Sequence, residues 1–274
     1  MRALLGLALV LVLAACGGTT APPTASSRTV WTGDVSEDEL LRLHERTTEV
    51  PPSPRGQEIA LGGGHAYLAL PEGSPRAALL VIHEWWGLND HIRHWADRLA
   101  ADGYAALAID LYGGRTAATS EEAMELMRAV DDTQADATIR DAITFLESDP
   151  RVASAQRHGV IGWCFGGGWA LEAALRHPGA SDAVVMYYGR PVTDVERLRA
   201  LDSPLLGIFG DLDESIPPER VDEFEAALEA AEVPHELLRF DAPHAFANPS
   251  GPRYDHDAAA AAWEATRAFL ARTL

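Results

Sequence analysis

A cysteine with glycine two positions to either side, Gly162-Trp163-Cys164-Phe165-Gly166, puts a thiol where the chain has little room. The stretch lies between an apolar run, His158 to Ile161, and a helix-like run that begins at Trp169. A strand that turns directly into a helix leaves no space for a Cβ two residues before or after the turn residue, so glycine belongs there. A thiolate at a helix N-terminus is stabilised by unpaired N–H groups and by the helix dipole. Cys164 is therefore read as a nucleophile for a carbonyl carbon. A buried structural cysteine in a glycine-rich turn is the competing reading, and the order strand, glycine, cysteine, glycine, helix weighs against it.

Such a nucleophile needs a base and an acid to orient that base, and the elements around it must bring both. Gln57 to Leu61 and His65 to Leu70, joined by three glycines, read as a β-hairpin. Strands are then predicted over Ala77 to His83, Tyr104 to Ile109, His158 to Gly162, Ala183 to Tyr188, Leu205 to Phe209 and Glu236 to Phe240. Helices are predicted over His91 to Ala101, Ser120 to Val130, Ala135 to Glu147, Trp169 to Arg176, Pro218 to Ala231 and His256 to Ala271. The later strands are continuous apolar runs, as in a parallel sheet buried on both faces. The expected fold is α/β, a mostly parallel central sheet with helices on both faces, in one domain over 56–274.

Ligands of open α/β sheets gather at the carboxyl ends of the strands. Glu84-Trp85-Trp86-Gly87 follows the first parallel strand, and Asp110-Leu111-Tyr112 the second. Asp211 and Asp213 follow Leu205 to Phe209, and His244 follows the last strand. Cysteine, aspartate and histidine thus leave the strands in the order of an α/β-hydrolase triad. Two residues of one turn do not point alike, so either Asp211 or Asp213 serves the histidine. The oxyanion hole would use the backbone N–H groups of Phe165, after the nucleophile, and Trp85, after the first parallel strand.

Residues 1–16 stand apart from this domain. Arg2, an apolar run to Leu13 and then Ala14-Ala15-Cys16 have the form of a secretory signal. Leu13-Ala14-Ala15-Cys16 is similar to a bacterial lipobox, so Cys16 is expected to be lipidated and the protein exported and held in the cell envelope by that lipid. Residues 17–35 read as a flexible tether, and 36–55 as a short helix opened by the Ser36 capping box and then a proline-rich linker. With Cys16 acylated, Cys164 is a lone thiol and no disulfide can form. The net charge is −19 and all 22 basic residues are arginine, which weighs against nucleic acid and anionic lipid and excludes a lysine nucleophile. No cofactor is called for, and nothing demands a second copy, so a monomer is expected.

His83-Glu84-Trp85-Trp86-Gly87-Leu88, Asp110-Leu111-Tyr112, Gly162-Trp163-Cys164-Phe165-Gly166-Gly167 and His244-Ala245-Phe246, in this order, resemble the dienelactone hydrolase family over the whole domain. The resemblance implies a Cys164–Asp213–His244 triad, with Asp213 as the acid, and hydrolysis of an ester or lactone. It also gives Glu84 a role: the family's glutamate here contacts the resting thiol and assists its deprotonation. Trp86, Tyr112, Trp163 and Phe246 would line an aromatic pocket, although Trp163 next to an elbow also suits core packing. The family's founding members hold the substrate carboxylate with arginines at positions where this chain has Ser120 and Asn248. Arg115, Arg128 and Arg253 are nearby in sequence.

Three other readings compete. His91 and His94, three apart on a helix, could begin a metal site, but no third ligand is evident. A non-catalytic, surface-anchored binding protein on the same fold is the second alternative. Redox sensing by Cys164 lacks a resolving cysteine.

Overall fold

The computed structural model describes residues 50–274. The expected signal and lipobox, the tether and the helix opening at Ser36 lie outside the described residues. The chain enters through Pro51 to Pro54 without regular structure. The strands are β1 (Gln57–Leu61), β2 (Gly64–Ala69), β3 (Ala78–Ile82), β4 (Ala105–Ile109), β5 (His158–Trp163), β6 (Ala183–Tyr187), β7 (Leu205–Gly210) and β8 (His235–Phe240). The helices are α1 (Asp90–Ala101), α2 (Ser120–Ala129), α3 (Asp132–Ser148), α4 (Phe165–Arg176), α5 (Val195–Leu198), α6 (Pro218–Ala230) and α7 (His256–Thr273).

One eight-stranded sheet runs β1-β2-β4-β3-β5-β6-β7-β8. The β1–β2 and β2–β4 pairs are antiparallel, and every later pair is parallel. Each parallel strand returns through a helix, so the loops that follow the parallel strands all lie at their carboxyl ends, and β3 lies beside β5. Because side chains alternate across a strand, each strand feeds two cores. Leu80 and Ile82 of β3 pack with α2, α3, α4 and α6, whereas Leu79 and Val81 pack with α1 and α7. This is an α/β-hydrolase-type fold, as the alternating pattern led one to expect.

That alternation corrects the expected pocket role of Trp163. Trp163 shares the face of Ile161, is 1% exposed, and stacks on Trp95 with ring centroids 5.3 Å apart. It is a core residue on the α1–α7 side. Two helix starts also differ from expectation. Asp131 caps α3 by accepting from Thr133 and Gln134, so the helix opens at Asp132 instead of Ala135. Helix α4 begins at Phe165, four residues before Trp169, because the glycines expected to form a turn are themselves helical. The single turn α5 has too few residues to show a period, and its Asp194 cap is its only sequence signal.

Nothing separates β5 from α4 except Cys164, which sits at φ 53 and ψ −117. The strand and helix are brought so close that a Cβ on Gly162 would run into the Gly166 carbonyl, and one on Gly166 into the Ile82 carbonyl of β3. Both obstacles are backbone, which cannot swing aside as a side chain can. Gly166→Ala is therefore expected to lower the unfolding free energy by about 3 kcal/mol or more. Denaturant titration measures this, and a loss below about 0.5 kcal/mol would mean that β3 and α4 separate freely.

Candidate active site

The left-handed backbone of Cys164 is costly for a residue with a side chain, and the surrounding packing holds it there. Its amide donates to Tyr187 O at 3.0 Å, which ties the elbow to β6. The thiol is partly exposed, and His244 Nε2 lies 3.3 Å from Sγ. His244 Nδ1 lies 2.6 Å from Asp213 Oδ2. An ionised carboxylate can only accept, so Nδ1 carries the proton and Nε2 faces the sulfur.

Asp213 is held from its other oxygen: Oδ1 accepts from the amides of Ser215 and Ile216 at 2.7 and 2.9 Å. Asp211, the rival two residues earlier, turns outward and accepts from Arg239 Nε at 2.7 Å. The turn thus presents one aspartate to the histidine and the other to solvent. Burial by itself would lower the pKa of His244, but the Asp213 carboxylate and the Cys164 sulfur override it and raise it well above the usual value. The Asp213 carboxylate beside it therefore favours the protonated imidazolium form of His244.

Glu84 enters this neighbourhood from the loop after β3, but its carboxylate meets other partners than the expected thiol. Oε1 accepts from Tyr188 Oη at 3.4 Å, and Oε2 accepts a short bond from Asn248 Nδ2. Tyr188 was not expected at the site. It is fully buried at φ 35, and its ring centroid lies 5.1 Å from that of His244. A strained residue closing an apolar strand leaves no mark in the sequence beyond its place at a strand end.

The remaining expected residues divide between floor and wall. Trp85, Trp86 and Tyr112 are buried in the core on the α4 side, and Tyr112 packs on Phe165 at 5.5 Å. Tyr112 also borders a cavity of about 230 Å³ that extends beneath α2 and α3 to Arg115. Phe246 is fully buried behind Tyr188, with centroids 5.6 Å apart, and so backs the site without lining it. Phe165 is the first residue of α4, and Trp85 follows β3 at the same edge of the sheet. Of Arg115, Arg128 and Arg253, the last reaches the site: its half-buried charge acts on Asp213, Cys164, Tyr188 and Glu84. Among the described residues, no group of three could hold a metal ion beside His91 and His94.

Residues 65–274 match the model of the dienelactone hydrolase family. The chain belongs to the dienelactone hydrolase family. A provisionally named carboxymethylenebutenolidase of Saccharolobus solfataricus is 30% identical over 245 residues, covering 76% of this chain and 93% of its own. A dienelactone hydrolase candidate from Klebsiella pneumoniae superposes with a TM-score of 0.71 at 28% identity, covering 80% of this chain and 98% of its own. A dienelactone hydrolase-like promiscuous phosphotriesterase from metagenomic libraries gives 0.69 at 26% identity, covering 80% and 97%.

The Asn248 contact on Glu84 has an electrostatic consequence. An amide donates a hydrogen bond to Glu84 but supplies no charge. Burial therefore dominates and pushes the Glu84 carboxyl up to about 7, against the opposing pull of His244, Tyr188, Asn248 and Arg253. The folded protein holds this proton more tightly than the unfolded chain does. The contribution of Glu84 to stability is thus fully present below its ordinary value of 4.5 and declines as pH rises to about 7. Glu84→Gln removes that titration. Between pH 4.5 and 8, wild type should lose on the order of 3 kcal/mol relative to the variant, measured as the difference of two denaturant titrations. A difference independent of pH would show that Glu84 titrates normally.

Proposed function

We propose that this protein hydrolyses a carboxylic ester or lactone through a thioester on Cys164. The contiguous contacts of Cys164 Sγ with His244 at 3.3 Å and of His244 with Asp213 at 2.6 Å carry the proposal. The Cys164 thiolate attacks the carbonyl carbon, and the C–S bond forms as the carbonyl oxygen takes the negative charge. Collapse of this intermediate expels the alkoxide, which takes the proton from His244 Nε2. His244, now neutral, removes a proton from water, and the resulting hydroxide attacks the thioester. The acid leaves and the sulfur departs as thiolate. Asp213 keeps the imidazole in the one tautomer that serves both steps and stabilises its charged form.

The developing oxyanion is received by the backbone N–H groups of Phe165 and Trp85, each contributing about 3 kcal/mol in comparable sites. Glu84 adds a negative charge beside His244 only above about pH 7. Assembly of a full triad favours catalysis over a binding-only role on the same fold. We further propose that Cys16 bears a lipid that tethers the domain to a membrane in the cell envelope, on the strength of Leu13-Ala14-Ala15-Cys16. The remaining partner is a small-molecule substrate.

Soluble protein lacking residues 1–16 is expected to hydrolyse activated esters or lactones. Cys164→Ala should fall to background, and His244→Ala to within tenfold of it. Intact-protein mass spectrometry should find one acyl group on Cys164, and wild-type turnover by Cys164→Ala would sink the mechanism. Full-length protein expressed in bacteria fed an alkyne fatty acid should carry the label, and Cys16→Ser should not. Equal labelling of both would remove the anchor.

A further inference from the structure

His83 takes no part in the steps above, yet it is fully buried at the end of β3, next to the loop that supplies Trp85. Its Nε2 accepts the Leu111 amide at 3.1 Å, and its Nδ1 lies 2.5 Å from the Glu84 carbonyl oxygen. An amide N–H can only donate, so Nε2 is bare and Nδ1 carries the proton that goes to that carbonyl. The Gly87 amide donates to the same oxygen at 3.1 Å. Burial lowers the pKa of His83, against the pull of its backbone contacts and of Asp110, and keeps the ring in this neutral tautomer.

The Glu84 carbonyl belongs to the peptide that joins Glu84 to Trp85. In a trans peptide the C=O and N–H point in opposite directions, and the described chain contains no cis bond. Two donors on the oxygen therefore fix the direction of the Trp85 N–H. They also polarise the amide, which makes its N–H a stronger donor. We propose that His83 is a positioning residue for the oxyanion hole: anchored on Leu111, it donates to the Glu84 carbonyl and so aims the Trp85 N–H at the developing oxyanion. This inference rests on the Cys164 acyl-enzyme reading and extends it.

The ring packs edge-on to Tyr112 at 4.6 Å and stacks on Phe165 at 5.7 Å, so a phenyl ring can occupy the same space. His83→Phe keeps that packing and removes the donor. His83→Asn puts an amide nitrogen where Nδ1 was and restores it. The two variants are compared with wild type in two reactions of Cys164. Single-turnover acylation by p-nitrophenyl acetate passes through an oxyanion, whereas alkylation by iodoacetamide does not.

Loss of one oxyanion donor costs about 10²–10³ in rate, and a misdirected donor should cost less. His83→Phe should acylate about 10–100-fold more slowly while alkylating within about twofold of wild type, and His83→Asn should recover most of the loss. Equal slowing of both reactions, unchanged acylation, or an Asn variant no better than Phe would overturn the assignment. Should His83→Phe fail to fold, His83→Asn must still acylate within about threefold of wild type, and a larger selective loss overturns it as well. Turnover by Cys164→Ala would instead remove the acyl-enzyme reading, so the two failures are distinguishable.

Discussion

The site depends on one steric constraint, the absence of free chain between β5 and α4. A single residue makes the turn, and it is forced to a left-handed backbone because Gly162 and Gly166 let strand and helix close on each other. The strain projects the Cys164 side chain out of the sheet edge at the start of a helix, where a thiolate is stabilised. A serine or cysteine on an ordinary loop would have to lose conformational freedom each time it met its base. Here the freedom is lost once, on folding, and β6 fixes the turn through the Tyr187 carbonyl.

Around that fixed sulfur, each polar group is held by a second contact that leaves it one direction to act. Asp213 is pinned by two backbone amides and so offers one oxygen to His244. His244 then offers one nitrogen to the sulfur. The Glu84–Trp85 peptide is held through its carbonyl, which His83 and Gly87 both donate to, and that fixes the direction of its N–H. Buried polar groups with every other partner satisfied act without reorganising, and a site that has no reorganisation to do stabilises a transition state best. Glu84 is the exception in charge. Its donors, Tyr188 and Asn248, satisfy its oxygens without neutralising it, and it therefore titrates near neutrality where an arginine partner would have kept it ionised.

Much of this was legible in the sequence because strand and helix periods are local. The six later strands were found within one or two residues, since continuous apolar runs bounded by turns read the same way wherever they pair. Cys164 and His244 followed from their places after strands. The errors had a common cause. The start of α4 was misplaced because three glycines predict a turn by propensity, and only packing against β3 makes them helical. Trp163 was assigned to the pocket because its neighbours belong there, and the strand's alternation turns it to the opposite face. Tyr188 was missed because it reads as one more apolar residue of β6.

The sequence by itself determined the order of the elements and singled out Cys164 and His244, because each of these rests on residue type and on neighbours a few positions away. The resemblance pointed to Asp213 over Asp211, but only tertiary structure supplies the physical reason: one turn sends its two aspartates in different directions, and only the position of His244 distinguishes them. Tertiary structure also decided what Glu84 touches, which of three arginines comes near, and which way a single peptide points after β3. These are angles between segments far apart in the chain. No local pattern encodes such angles, because they are set by how the two cores pack on the faces of one twisted sheet.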